Sequence, residues 1–427
     1  IFNQIIEVSP QLHYSYNSDS EDYFIKNTTI NDVELGFSVN YINKKLKIHT
    51  YNAYHLIKGH SSRYSDFTPK TGLDWIKRDP GLGKDLYNYY IVDMSFQYGD
   101  SLSYIYICKL RKSWGPGKRS LFISDKVPSF PHIGFHLNIS SIFQFEYLHG
   151  GLQSNIDDSV YNDYYTIGKT KQLSRNIVAH RLKIKPSTKI NIFLNELVVY
   201  SNRSLDFAYL MPFIPFFPLQ NYLNDIDNII MSIDFEYKLD RNKTIYSSFL
   251  IDEWSPPYTF KKKNHNWFGY QVGMNSKNFY LANDEFLLEF IWTDHRVYHH
   301  RFESNDVYSW GYPLGFWAGP HAQEFLFNYK LILKNKEINI FSSITKRGEY
   351  TASMRSLQYN NKQYEGAYKR FGVNSSICKD CMGTIESKYK FSISILNNIN
   401  KKLDINLKYT YIYWINSGFN PQLPINS

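Results

Sequence analysis

Apolar and polar side chains alternate residue by residue through almost every strand-like stretch of this chain, and that period of two constrains the fold more than any other feature. Successive side chains of an extended backbone point to opposite faces, so each such stretch has one greasy face and one wet face. Segment 231–239 (MSIDFEYKL) places Met231, Ile233, Phe235, Tyr237 and Leu239 on one side and Ser232, Asp234, Glu236 and Lys238 on the other. Segment 402–414 repeats the pattern, aligning Leu403, Ile405, Leu407, Tyr409, Tyr411 and Tyr413. Strands of about 9 to 11 residues can cross a bilayer, whereas soluble sandwich strands run to about 5 or 6. Aromatics supply 18% of the sequence, and membrane barrels use them in girdles at both interfaces. The expectation is an all-β fold: a transmembrane antiparallel β-barrel with little helix.

Dividing 427 residues by a strand-plus-connection unit of about 24 gives about 18 strands, inside the range of such barrels. No internal shift in composition marks a boundary, so residues 1–427 read as a single barrel domain with a polar tail over 415–427. A mean hydropathy of −0.43 does not count against a membrane, because only alternate residues of a spanning strand meet lipid. A helical membrane protein is excluded. The greasiest uncharged stretch, 207–219 (FAYLMPFIPFFPL), is too short to span and is broken by Pro212, Pro215 and Pro218. Its prolines suit an extended, polyproline-like segment packed against the barrel or folded into it.

Lysine and arginine outnumber aspartate and glutamate by 48 to 39, a net charge of +9, but the cations are scattered. A lysine-decorated lumen and loop set accounts for them; attraction to acidic polysaccharide or lipopolysaccharide phosphates is the functional alternative. No basic helix, zinc-finger spacing or RNA-binding signature accompanies the charge, so nucleic acid is not an expected partner. Cys378 and Cys381 (CKDC) stand in a connection rich in Gly, Ser and Asn, where a short-range disulfide is expected over a zinc or redox site. Cys108, within SLSYIYICKL, reads as an inert apolar residue. Residues 1–10 show no basic region followed by an apolar core.

Further strands are expected at 33–41, 45–54, 89–98, 101–109, 143–147, from 190 onward, and at 244–251, 266–274, 285–292, 324–333, 337–345 and 388–396. Long connections are expected at 59–83, 150–173, 201–226 and 350–383, and a helical turn or two at 223–230 or 320–325.

From Trp114 the chain reads WGPGKRSLFISDKVPSFP, a Trp-Gly turn leading into a Ser-Asp-Lys-x-Pro-Ser-Phe-Pro stretch. From Arg175 it reads RNIVAHRLKIKPSTKINIFLNELVVY, and DNIIMSIDF, FLIDEW, EFIWTDHRVYHH and GYPLGFWAGPHAQEF follow. In this order, over about 114–327, these segments resemble the capsule assembly protein Wzi family, in particular its Bacteroidetes-type members. The resemblance implies a bacterial outer-membrane barrel of about eighteen strands that acts as a lectin, without catalysis, and helps hold capsular polysaccharide at the cell surface. Surface or capsular polysaccharide, outer-membrane lipid including lipopolysaccharide, and other envelope proteins are then the expected partners. The resemblance also implies a helical segment on the periplasmic side of the N-terminus, whereas this chain opens with strand-like sequence.

Sugar recognition needs flat aromatic faces and planar polar groups in a concave site. Trp310, Tyr312, Phe316 and Trp317, with His321 after them, share one Gly- and Pro-rich stretch, and Trp114 sits at its own Gly-Pro turn. These are the candidate carbohydrate-binding residues; a membrane-interface girdle is the competing assignment. Glu196 falls on the apolar phase of Ile190, Ile192, Leu194 and Val198, so the expectation is a strand irregularity or a lumenal ion pair with Arg181. Asp252 and Glu253 are adjacent, point to opposite faces, and read as a polar strand end inside the lumen rather than a catalytic pair. Asp294, His295, His299 and His300 read as a polar loop, since on a strand His295 and His299 stand roughly 13 Å apart. Hydrolase elbows, phosphate loops and dinucleotide fingerprints are absent, so neither enzyme activity, a cofactor nor a metal is expected. A scaffold barrel of a larger envelope complex, a porin and a soluble carbohydrate-active enzyme are the alternatives.

Overall fold

The computed structural model describes residues 4–17, 30–58, 67–74, 77–78, 86–159, 171–258, 266–350, 384–400, 403–419 and 425–426. Cys378 and Cys381 lie outside these residues. The chain is an antiparallel β-barrel in which each long strand pairs with its neighbours in sequence. The seventeen long strands are β1 (Gln4–Asn17), β2 (Ile30–Asn43), β3 (Leu46–Lys58), β4 (Leu86–Gly99), β5 (Tyr104–Leu110), β6 (Phe130–Asn138), β7 (Phe143–Asp157), β8 (Gln172–Ile184) and β9 (Ile190–Ser201). They continue with β10 (Asn228–Lys238), β11 (Lys243–Glu253), β12 (Trp267–Lys277), β13 (Asp284–Thr293), β14 (Ala322–Leu333), β15 (Lys336–Gly348), β16 (Ile385–Asn400) and β17 (Leu403–Ile415). Two-residue strands, Lys77–Arg78 and Ile425–Asn426, pair with β4 and β17.

The alternation sorts side chains as the period of two requires. On β10, Ile233 is 48% exposed on the outer wall while its neighbour Asp234 is fully buried toward the lumen. Leu407, Tyr409 and Tyr411 of β17 and Val92, Met94 and Phe96 of β4 continue the exposed apolar wall around the barrel. Inward, the polar face is internally bonded: Arg181 donates to Asn195 (2.7 Å) and Asp234 (3.1 Å), and Ser248 donates to Asp234 (2.6 Å). Cys108 lies on the inward phase as a buried free thiol, its sulfur 3.2 Å from His132 Nε2.

The two ends of the barrel differ. At one end, tight turns at 44–45, 100–103, 139–142, 185–189, 239–242, 278–283 and 334–335 join the strands. Their chemistry is local: Asp100 accepts the Leu102 and Ser103 amides, and Asp240 accepts those of Asn242 and Lys243. At the opposite end the connections are long, among them 111–129, 202–227 and 294–321. Short turns on one side and long loops on the other is the asymmetry of outer-membrane barrels.

Several segments depart from expectation in informative ways. Strands β6 and β8 are not among those expected from the sequence; β6 alternates in the ordinary way, with Ile133 exposed on the outer wall and His132 buried, whereas β8 sits where the wall is covered. On β8 the inward phase carries apolar Ile177 and Ala179 against packed loop, and the outward phase carries His180 under another. Alternation fails there because neither face meets its usual solvent. The segments 223–230 and 320–325, expected as helical turns, are instead turns and bends that lead into β10 and β14, and the short helix α1 forms at Phe216–Tyr222. Pro218 does not forbid it, because in the first helical turn its missing N–H is not needed. The 207–219 stretch is thus a 3₁₀ turn followed by a helix, not an extended polyproline segment.

Candidate binding site at the mouth of the barrel

The lumen is filled at the long-connection end by 67–74, 111–129 and 294–321, which bond to one another. The backbones of Trp114 and Ile123 form a bridge, Ser124 N–H donates to Leu314 O (2.7 Å), and Gly72 N–H donates to Lys126 O (2.7 Å). Fully buried Lys126 donates to the carbonyls of Thr68 and Lys70 and lies 4.8 Å from the Tyr312 ring centre. Tyr298, also fully buried, donates its hydroxyl to Leu121 O, accepts from Phe316 N–H, and donates its own N–H to Asp252. A Cβ at Gly315 would meet Leu121 O at 2.2 Å, so the two inserted segments approach as closely as only glycine allows.

Inward carboxylates anchor this plug to the wall. Glu289 accepts the backbone N–H of Lys118 and Arg119 and the Tyr246 hydroxyl. Glu324, 1% exposed, accepts from Arg119 Nε and Trp317 Nε1, both at 2.9 Å. Glu386, by contrast, bonds within the wall, accepting from Arg347 of β15 and from Trp414 Nε1 of β17. The Arg119 guanidinium thus meets a buried anion of the wall, the condition under which such a charge can be tolerated, while Arg296 pairs with Asp294 of its own loop and Lys126 is held by loop carbonyls.

This arrangement relocates the residues expected to face a sugar. Trp114, Tyr312, Trp317 and His321 are all buried and pack the plug, away from the membrane interface; Tyr312 and Trp317 also line one of the two mouth cavities described below, whereas Trp114 and His321 line neither. Trp114 stacks over Phe122 and has the Arg181 guanidinium 5.5 Å from its ring centre. Trp310 is the exception. With Gly311 it forms the two-residue tip of a hairpin (Tyr308–Ser309 with Tyr312–Pro313), both at positive φ, a position that favours Asn or Gly rather than Trp. Its N–H donates to Gln153 O, and its side chain is partly buried against the plug.

Glu196 is not lumenal and does not pair with Arg181. It stays on the outward phase, where it accepts from His180 Nε2 (2.8 Å) and from Phe216 N–H (2.7 Å), beneath the 202–227 connection. Arg181 takes Asp234 instead. Asp252 faces the lumen, buried under Tyr298, while Glu253 is exposed. His295 pairs with Asp294 and His299 with Asp306; among the described residues no group of three or more His, Cys, Asp or Glu could hold a metal ion. Burial raises the Asp294 carboxyl, but the Arg296 guanidinium and His295 outweigh burial and hold it below the usual carboxylate range.

Above the plug lies a hollow made of two adjoining cavities, about 330 and 220 Å³, that share His299, Tyr308, Gly311 and Tyr350. The rings form its wall: His299 stacks on Tyr308 (5.6 Å between centres, 17° between planes), and Tyr350 leans on His299 at 5.2 Å. Arg175 braces the rim by donating to the carbonyls of Glu303, Ser304 and Tyr308, so its charge serves the backbone. Other hollows are placed differently, among them one of about 460 Å³ between plug and wall near Tyr89 and Lys109, and one of about 760 Å³ at the rim beside α1. The signal for the mouth site was partly visible, since Tyr312 and Trp317 line it. His299, Tyr308 and Tyr350 were missed as binding candidates because nothing in their spacing shows that three separate segments converge.

No protein-family model and no curated protein sequence matches the chain. Among solved structures it is similar to Wzi of Escherichia coli, described as an outer-membrane protein involved in group 1 capsule assembly and as a carbohydrate-binding β-barrel. The TM-score is 0.59 at 12% identity, covering 99% of this chain and 81% of that one. OccAB2 of Acinetobacter baumannii (TM-score 0.48, 10% identity, 97% of this chain and 92% of that one) and OprD of Pseudomonas aeruginosa (0.47, 11%, 100% and 94%) also align. At these identities the likeness concerns the fold, and the fold is that of an outer-membrane β-barrel.

Proposed function

We propose that this protein stands in the bacterial outer membrane and binds a surface or exported polysaccharide at its long-connection end, without chemistry. The observation that carries this reading is the ring-lined hollow above a packed plug: a concave aromatic and polar site at a mouth whose lumen is filled behind it. Its combined size, on the order of a small ligand pocket, suits one or two sugar rings rather than a transported stream of solute. Wzi, described as carbohydrate-binding, shares the architecture and supports the same reading. A porin is the second reading, but the charge-anchored plug among the described residues argues against free diffusion.

The test is glycan binding by detergent-purified protein, using capsular and exopolysaccharide from its own host. Saturable binding is expected, weakened about tenfold or more in Tyr308→Ala and Tyr350→Ala; a tenfold loss corresponds to about 1.4 kcal/mol. Trp317→Ala, by contrast, should cost stability first. Absence of binding by folded, heat-modifiable wild type would overturn the proposal and leave the scaffold reading.

A further inference from the structure

We infer that the 202–227 connection is a membrane-seated strap: it folds back over the outside of the barrel and its outer side lies in the bilayer half nearest the long connections. The partner is lipid. Residues 207–224 carry no charged side chain, with Asp206 and Asp225 marking the two ends. The strap is two-sided. Tyr209, Phe216 and Leu219 are buried against outward-phase residues of the wall, in one cluster with Phe145, Tyr147, Val178 and Val198. Phe207 (83% exposed), Phe217 (53%) and Tyr222 (79%) are open on the other side, and Phe213 (64%) lies on Phe145 with its outer face open.

Four exposed aromatics on so short a segment form an apolar patch too concentrated for water. What covers it follows from continuity. The wall beneath is the outward phase of β7 to β10, the same phase whose Ile233 and Phe235 belong to the lipid-facing band. The strap therefore replaces one stretch of that band and inherits its solvent. The way it is held agrees. His180 Nδ1 meets Pro212 O, Phe216 N–H reaches Glu196, and the Tyr147 hydroxyl donates to Tyr209 O, so polar groups that would face hydrocarbon are satisfied under the strap. Apolar residues of the adjoining rim hollow, including Phe217, Ile229, Met231 and Trp254, extend the same surface.

Spin labels decide the matter. Phe207→Cys and Phe213→Cys are each labelled with a nitroxide in the full chain, with the three native cysteines replaced by serine, after reconstitution into phospholipid nanodiscs. Leu407→Cys on the far wall serves as the lipid-facing control and Asp240→Cys in a tight turn as the aqueous one. Collision with oxygen exceeding collision with a water-soluble nickel chelate at both strap positions, as at Leu407, is the expected result. Nickel accessibility matching Asp240 would overturn the inference, as would dipolar coupling between labels, which would make the occupant a second copy. Leu407 separates the failures: if it too reports water, the barrel itself does not stand in the bilayer. Heat modifiability establishes folding of each variant, and the two strap positions stand in for one another if one fails to fold.

Discussion

Two sets of long connections leave the same end of this barrel and turn opposite ways. Segments 111–129 and 294–321 go in and fill the lumen, while 202–227 goes out and lies on the outer wall. All three are rich in aromatics, so greasiness does not decide the direction. Charge does. The inward segment 111–129 carries Arg111, Lys112, Lys118, Arg119, Asp125 and Lys126, and the wall it meets supplies Glu289 and Glu324. The outward segment carries none from 207 to 224 and meets a wall of Phe145, Tyr147 and Val178 with one polar pair, Glu196 and His180. A loop settles on the face whose polarity it can satisfy, because an unpaired buried charge costs several kcal/mol, about 3–5 when one partner of a buried pair is removed.

Breaking the inward match should have the largest effect. Glu324→Ala leaves Arg119 and the Trp317 indole without their acceptor and should lower stability by about 3–5 kcal/mol. In planar bilayers this variant should also flicker open as the plug loosens. Next, Tyr298→Phe removes the hydroxyl that joins Leu121 O to Phe316 N–H and should cost about 2–3 kcal/mol in a thermal or denaturant titration. On the outer side the cost should be smaller. Glu196→Leu strips an acceptor from His180 and Phe216 N–H but continues the apolar phase, so about 1–2 kcal/mol is expected. Protease cleavage within the strap should rise while conductance stays at the wild-type level; a conductance change would break the comparison by coupling strap to plug.

The smallest effect concerns pH. Asp294 titrates lower in the folded protein than in the unfolded chain, so its contribution is complete above about pH 4 and disappears as pH falls through the folded value. Asp294→Asn should therefore lie about 1 kcal/mol below wild type at neutral pH, with the gap closing in acid. A gap that does not narrow at all between about pH 5 and pH 2 would mean the side chain acts through packing and not through its charge.

The barrel was legible because lipid and lumenal water enforce period two over long stretches, as in 231–239 and 402–414. It was illegible at β8, where plug and strap replace those solvents and Ile177 and His180 take the wrong polarity for the rule. The strap's lack of charge was visible, and Glu196 on an apolar phase was the flag that something covers it. The direction of the cover was not visible, because Arg181 is adjacent in sequence and equally able to pair. The plug was hidden for a different reason: Trp114, Tyr312 and Trp317 look the same whether they serve a girdle, a sugar or a core. A better signal was the inward-phase acids Glu289 and Glu324, which an open lumen has little reason to bury.

The most direct test of the plugged barrel is conductance of the wild-type protein in a planar bilayer at high salt. A filled lumen predicts no steady open state, with ohmic current appearing only when the Glu324 anchor is removed. Large, stable wild-type openings would contradict the account and make the protein a porin.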